Sequence, residues 1–132
     1  MSHAPLANAE LAVMELLWIQ DRLTSRAIRE RLYPEATKAQ HGTVQKLLQR
    51  LEEKGYIHRD RTLAVHLFSA AVSREAYAGG QLESLADKLT GGSLAPLLTH
   101  LIEERRLPAD ELRRLREILE DAGDDDAEGG RR

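Results

Sequence analysis

Between Lys38 and Lys54 the sequence KAQHGTVQKLLQRLEEK places Val44, Leu47, Leu48 and Leu51 at i, i+3, i+4 and i+7, the spacing that gathers four apolar side chains into one stripe of an α-helix. That stripe has to be buried against other elements. The opposite direction then holds Gly42, Gln45, Lys46, Gln49 and Glu53, flanked by Thr43 and Arg50. A face of amides, a hydroxyl and cations suits a DNA duplex: Gln pairs bidentately with adenine, Lys and Arg with guanine or phosphate, and a Thr methyl touches thymine. Gly42 lets the start of the helix approach a phosphate closely. Taken alone, such a helix is more often an ordinary amphipathic one with a solvated polar face, so the weight falls on its neighbours.

Residues 1–7 are expected to be disordered, and Asn8 reads as the N-cap of a helix to about Asp21. That helix turns Leu11, Met14, Leu17 and Trp18 inward, with Trp18 in the core. Thr24 caps a second helix, SRAIRERL, with Ala27, Ile28 and Leu32 inward. Tyr33-Pro34 stops it, because the residue before proline is disfavoured in the α region, and Glu35–Gln40 form a connector. Two short helices, a turn and an amphipathic helix are the helix-turn-helix order. Ser25 and Arg26, at the start of the second helix, are placed to reach phosphates. Gly55 reads as the glycine just past the third helix. The β-prone runs YIHRDR (56–61) and VHLFSA (65–70), separated by Thr62-Leu63-Ala64, predict a hairpin, although the connection lacks an Asn-Gly or Asp-Gly pair. A hairpin there is a wing, and Arg59 and Arg61, with His58 and His66, either follow the DNA backbone or minor groove or stay solvated surface charges.

The chain of 132 residues has a net charge of −3, which on its face argues against a nucleic-acid ligand, but the charge is unevenly distributed. Residues 1–72 hold ten Lys/Arg and eight Asp/Glu, residues 73–122 seven and ten, and residues 123–132 two and four. Within 38–66, six cations (Lys38, Lys46, Arg50, Lys54, Arg59 and Arg61) face three anions, with His41, His58 and His66 in addition. Phosphate affinity needs local positive charge rather than a basic whole.

In the second half, Ser73 caps a fourth helix to about Leu89 with Leu82, Leu85, Ala86 and Leu89 as its stripe. Gly79-Gly80 inside it cost about 1 kcal/mol each relative to Ala, so a kink or a late start is expected there. Gly91-Gly92 end it. Ser93 caps a fifth helix from Leu94 to about Glu104, with Leu94, Leu97, Leu98 and Leu101 on one side and Ile102 beside them. Pro108 opens a sixth helix to about Ala122 with Leu112, Leu115 and Leu119, and the tail GDDDAEGGRR, acidic and glycine-rich, reads as disordered. Short amphipathic rods make a poor independent core. A two-fold homodimer is the commonest way to cover such stripes, and it sets two recognition helices one helical turn apart, or a multiple of it, to read an inverted repeat. The other solution folds these helices back onto the N-terminal part of a monomer.

The expected architecture is mainly α: an N-terminal winged helix-turn-helix of three helices and a hairpin over 1–72, a helical dimerisation region over 73–122, and a tail over 123–132. Enzymatic readings find little support. There is no Cys, so no thiol nucleophile or Cys-based metal site. Asp21, Glu35 and Asp60 stand singly between elements, and Glu52-Glu53 and Glu103-Glu104 look like helix surface charges. A metal site from His41, His58 and His66 requires alternating strand residues to converge, which is rare. No phosphate loop, nucleophile elbow or zinc-protease motif occurs. Neither catalytic residues, metal nor cofactor is expected. The longest apolar runs fall well short of 18 residues and MSHAPLANAEL lacks a signal-peptide pattern, so a cytoplasmic protein is expected, with no membrane partner. A winged helix that binds only proteins is the alternative to a DNA-binding one, since fold does not settle function.

LANAELAVMELLW (6–18), LTSRAI (23–28), HGTVQKLLQRLEEKGYI (41–57), HLFSAAVSREAY (66–77), GGSLAPLL (91–98) and LPADELRRLREIL (107–119) in this order resemble the penicillinase-repressor family of the BlaI/MecI/CopY type. The resemblance covers about residues 6–120 and implies a homodimeric winged-helix transcriptional repressor of dyad-symmetric operators, of the kind that controls β-lactam resistance genes. Carried over by position, it implies DNA contacts by Thr43, Gln45, Lys46, Gln49 and Arg50, supported by Arg59 and Arg61 of the wing. With Ser25, Arg26, Lys38 and His41 these form the candidate DNA surface. Two departures matter. β-Lactam-responsive members are cut by a regulatory protease at an Asn-Phe bond in the fifth helix, where this chain reads Leu98-Thr99-His100-Leu101, so release at that bond is not expected, though another protease could accept a different one. Copper-responsive members carry a C-terminal Cys cluster, and this chain has no Cys. The wing also lacks the glycine usual in the family's turn.

Overall fold

The computed structural model describes residues 4–35 and 38–129, except the side chains of residues 38, 39 and 124–129. Six helices and two strands follow in the order α1 (Asn8–Ile19), α2 (Ser25–Leu32), α3 (Lys38–Glu53), β1 (Ile57–Asp60), β2 (Leu67–Ala70), α4 (Arg74–Thr90), α5 (Ala95–Glu103) and α6 (Ala109–Gly129). The chain divides into two compact units, residues 1–85 and 86–132.

In the first unit the α3 stripe is the centre of the core: Val44, Leu48 and Leu51 are fully buried and Leu47 nearly so, against Val13, Met14 and Leu17 of α1, Ile28 of α2, and Tyr56, Ile57 and Phe68 of the hairpin. Thr24 caps α2 as expected, its hydroxyl accepting the Ala27 N–H at 3.1 Å. At the other end of α3, Gly55 (φ 82°) closes the helix. Its N–H reaches the Glu52 carbonyl and the Tyr56 N–H reaches the Leu51 carbonyl, the paired bonds that a left-handed residue after a helix makes possible. Tyr56 thereby enters the core, one residue before β1.

Several boundaries differ from the sequence expectation. Ala7, not Asn8, is the N-cap of α1; it has no side-chain acceptor, and instead the Glu10 carboxylate accepts its N–H at 3.0 Å. The helix ends at Ile19, where Gln20 turns extended, and Arg22 beyond it takes a left-handed φ of 64°. The connector is short, since α3 begins at Lys38. The hairpin is antiparallel, with Ile57 opposite Ala70 and Asp60 opposite Leu67, so its connection runs over 61–66 rather than 62–64. Leu23 adds an isolated antiparallel bridge to Phe68, with N–H to carbonyl bonds of 3.0 and 2.8 Å. Trp18 packs against the core and donates from Nε1 to the Val72 carbonyl at 2.8 Å.

Ser73 caps α4 through the Ala76 N–H, and the helix runs through Gly79-Gly80 to Thr90. Within α4 only Ala86 is buried, while Leu82, Leu85 and Leu89 are 42, 45 and 65% exposed. In the second unit, Leu94 rather than Ser93 is the N-cap of α5, and it contributes no side-chain cap. No residue of α5 is buried. The α6 backbone continues to Gly129, beyond the expected end near Ala122; once a helix is nucleated, each added residue is cheap. Among the described residues, no helix is long and apolar enough to cross a membrane.

Candidate nucleic-acid interface

With its apolar stripe buried, α3 presents the rest of its circumference outward, and at about 100° per residue that surface falls into two halves. Gln45, Gln49 and Glu52 lie on the half beside the hairpin; Thr43, Lys46 and Arg50 lie on the other. The hairpin-side half forms one wall of a cleft of about 410 Å³, lined by Gln45, Gln49, Glu52, Glu53, Arg59 and Arg61. Four of the sequence-derived candidates (Gln45, Gln49, Arg59 and Arg61) are therefore brought together on one concave surface.

Each of these four already has an intramolecular partner. Gln45 donates from Nε2 to the Ser25 hydroxyl at 3.1 Å, which joins α3 to the first residue of α2. Gln49 donates to Glu53 at 3.2 Å. Arg61 Nη2 lies 2.9 Å from Glu52 Oε2, and Arg59 Nε lies 3.4 Å from Glu52 Oε1. The Arg59 guanidinium also sits over the Phe68 ring, 4.7 Å from its centroid, so this side chain is held against the protein, whereas Arg61 is 57% exposed. Arg26 pairs with Glu30 at 3.1 Å within α2. His41, Thr43, Lys46 and Arg50 are exposed on α3; the side chain of Lys38 lies outside the described set.

The base of the wing is fixed by Asp60. Its carboxylate accepts from the Thr62 hydroxyl and the Thr62 N–H at 2.6 and 2.9 Å, a turn-initiating pattern, and pairs with Arg22 at 3.2 Å. The two hydrogen bonds from Thr62 hold its carboxyl below the usual carboxylate range against the opposing effect of desolvation, with weaker help from Arg22 and His58. The far end of α3 is anchored by Glu10, 3% exposed, to which Lys54 donates at 3.0 and 3.2 Å. Tyr56 and Tyr77 pack edge to face at 5.8 Å. Tyr56 donates to the Ala4 carbonyl, and Tyr77 accepts the Leu6 N–H at 2.9 Å. Burial and the neighbouring Tyr77 and Glu10 push the Tyr56 hydroxyl up to about 12.

Sequence reasoning missed Glu52, which it left as a surface charge, and Glu10. The signal for Glu52 was present: a carboxylate in the last turn of a helix that leads straight into a hairpin bearing two arginines. Among the described residues no cluster of His, Asp or Glu is placed to hold a metal ion.

The Penicillinase repressor family model matches residues 6–121. A penicillinase repressor of Bacillus licheniformis is 23% identical over 116 residues, covering 88% of this chain and 90% of that protein. The transcriptional regulator BlaI of Mycobacterium tuberculosis (strain CDC 1551 / Oshkosh) is 34% identical over 116 residues, covering 86% and 82%. Among solved structures, the solution structure of the DNA binding domain of the repressor BlaI aligns with a TM-score of 0.47 at 21% identity, covering 58% of this chain and 94% of that one. With a family model spanning nearly the whole chain and a relative at this level of identity over most of it, the chain belongs to the penicillinase-repressor family, a family of transcriptional repressors and not of enzymes.

Proposed function

We propose that the protein is a sequence-specific, DNA-binding transcriptional repressor that acts in the cytoplasm as a homodimer on inverted-repeat operators, controlling β-lactam-response or related genes. The observation that carries this reading is the outer surface of α3: a helix whose apolar stripe is fully used in the core, while its remaining surface offers two glutamine amides, a threonine and two cations beside a hairpin with further arginines. The homodimer is supported by the second unit, where α5 and α6 enclose an open groove of about 490 Å³ lined by Leu98, Ile102, Leu112, Leu115 and Leu119 among others, and where the remaining members of the Leu set, Leu94, Leu97 and Leu101, stay partly or largely exposed. Leu82 and Leu85 on α4, in the first unit, are likewise exposed. Repression needs no chemistry: a dimer seated on a promoter excludes polymerase, and loss of pairing removes the affinity that tethering two half-sites supplies. A protease that releases this repressor has to cut a bond other than Asn-Phe in α5.

The test is selection of genomic fragments by the purified protein beside a Lys46→Ala/Arg50→Ala double variant. Recovery of a short inverted repeat upstream of genes, lost in the double variant, supports the reading and names the target genes. Recovery of nothing above the double variant at low salt overturns it and leaves the protein-binding winged helix. With a site in hand, Lys46→Ala is expected to weaken all duplexes alike, and Gln45→Ala to relax preference at one base by about 1–3 kcal/mol.

A further inference from the structure

Glu52 divides its carboxylate between two arginines of the hairpin, and the two are not equivalent. Arg59 is 18% exposed, its guanidinium lies over the buried Phe68, and its Nε is enclosed with no hydrogen-bond partner among the described residues. Without the Glu52 charge it would be an enclosed cation with little compensation, which is costly. Arg61 is 57% exposed and lies just past β1, 2.9 Å from the other oxygen. If Arg61 swings away, Glu52 keeps Arg59 and water solvates Arg61. One carboxylate thus serves a resident cation and an exchangeable one, and the exchangeable one points from the wing into the cleft that Gln45 and Gln49 line.

Resting on the DNA-binding reading above, we propose that Glu52 is a positioning residue that sets when the wing engages DNA: it holds Arg61 on α3 in the free protein, so that a phosphate must displace a carboxylate to gain the wing arginine. A duplex bound only through its backbone sits loosely and competes poorly for Arg61. A duplex seated by base contacts to Gln45 and Gln49 holds one phosphate at the wing in fixed geometry and takes Arg61 bidentately. Glu52 therefore withholds one cation from non-specific binding, the term that is almost wholly electrostatic.

The experiment measures binding across a salt series to a duplex carrying the recovered site and to one of shuffled sequence, for the wild type, Glu52→Gln, Arg61→Ala and the double variant. Glu52→Gln is expected to tighten the shuffled duplex about two- to five-fold, the scale of an exposed ion pair. It should also steepen the shuffled duplex's salt slope by about one phosphate contact, while the site duplex, which in the wild type gives up the whole Glu52–Arg61 pair, gains at least as much with its slope unchanged. In the Arg61→Ala background the gain should vanish. An equal gain with and without Arg61, or none, would overturn the proposal. Glu52→Asp keeps the charge but shortens the reach by one methylene. It should give part of the Glu52→Gln effect, and wild-type behaviour from it would reduce Glu52 to a general repulsive charge and sink the idea; it also carries the test if Glu52→Gln melts below the assay temperature. Absence of any duplex binding by the wild type at low salt removes the DNA reading itself, and this inference with it. Wild-type binding without the Arg61 dependence removes only the role of Glu52.

Discussion

Glu10 sits 3% exposed with two donors, the Ala7 amide and the Lys54 ammonium, and so joins the start of α1 to the end of α3. Burial alone would raise its carboxyl. The Ala7 N–H, Lys54 and, more weakly, Arg50 outweigh burial and leave it below the ordinary value. A carboxyl depressed in the folded state contributes stability that is complete above its unfolded value, about 4.3, and is lost as pH falls through the lower folded value. Glu10→Gln is expected to cost about 1–2 kcal/mol near neutral pH and to lose less further stability than the wild type between about pH 6 and about pH 3. Urea melts at both ends of that range check this, and parallel losses would show that the carboxylate is not linked to folding. A second residue-scale expectation concerns the left-handed positions after helices. Gly55 has room for a methyl group, but its φ of 82° makes Gly55→Ala cost about 1 kcal/mol. After α5 the same role falls to Arg105 at φ 54°, flanked by the bonds Arg105 N–H to Ile102 and Arg106 N–H to Leu101. Arg105→Gly should therefore stabilise by about 1 kcal/mol, seen as a higher denaturation midpoint.

At the scale of the element, what was legible in the sequence followed from periodicity and from residues with one dominant local use. The α3 stripe, the Thr24 and Ser73 caps and the Gly55 stop needed no tertiary information, because each is set within about one helical turn. The winged-helix architecture followed from the order of those elements. What sequence did not reveal depends on chain segments far apart. The bridge of Leu23 to Phe68 spans 45 residues, and the pairing of Lys54 with Glu10 spans 44. Likewise the loop over 61–66 had no Asn-Gly pair to mark it; its turn is set by Asp60 and Thr62, a pair two residues apart that would have been readable as a turn in its own right. Asp60→Ala is expected to leave the helices folded and to loosen the wing, with faster amide exchange at Thr62 and along β1. Unchanged exchange there would show that the strand pairing fixes the wing without Asp60.

For the whole molecule, the unresolved demand is the apolar surface of the second unit. Leu119 is 66% and Ile118 51% exposed, with Leu98 and Leu101 near 37–38%, more than a chain normally leaves to water in one place. On the homodimer proposal, Leu119→Arg should leave the fold of each chain intact, since the side chain it replaces is mostly solvated. It should nonetheless shift sedimentation towards the monomer and weaken binding to a two-half-site duplex far more than to a single half-site. An unchanged sedimentation profile would place the contact elsewhere. On the homodimer proposal, that same open groove has a bearing on gene dosage. When unpaired chains predominate, the amount of paired protein follows the square of the total, so halving the copy number cuts the species that reads both half-sites about fourfold. A promoter under such control registers dilution by cell growth, or a modest rise in turnover, as a disproportionate change in output, without any small molecule having to bind.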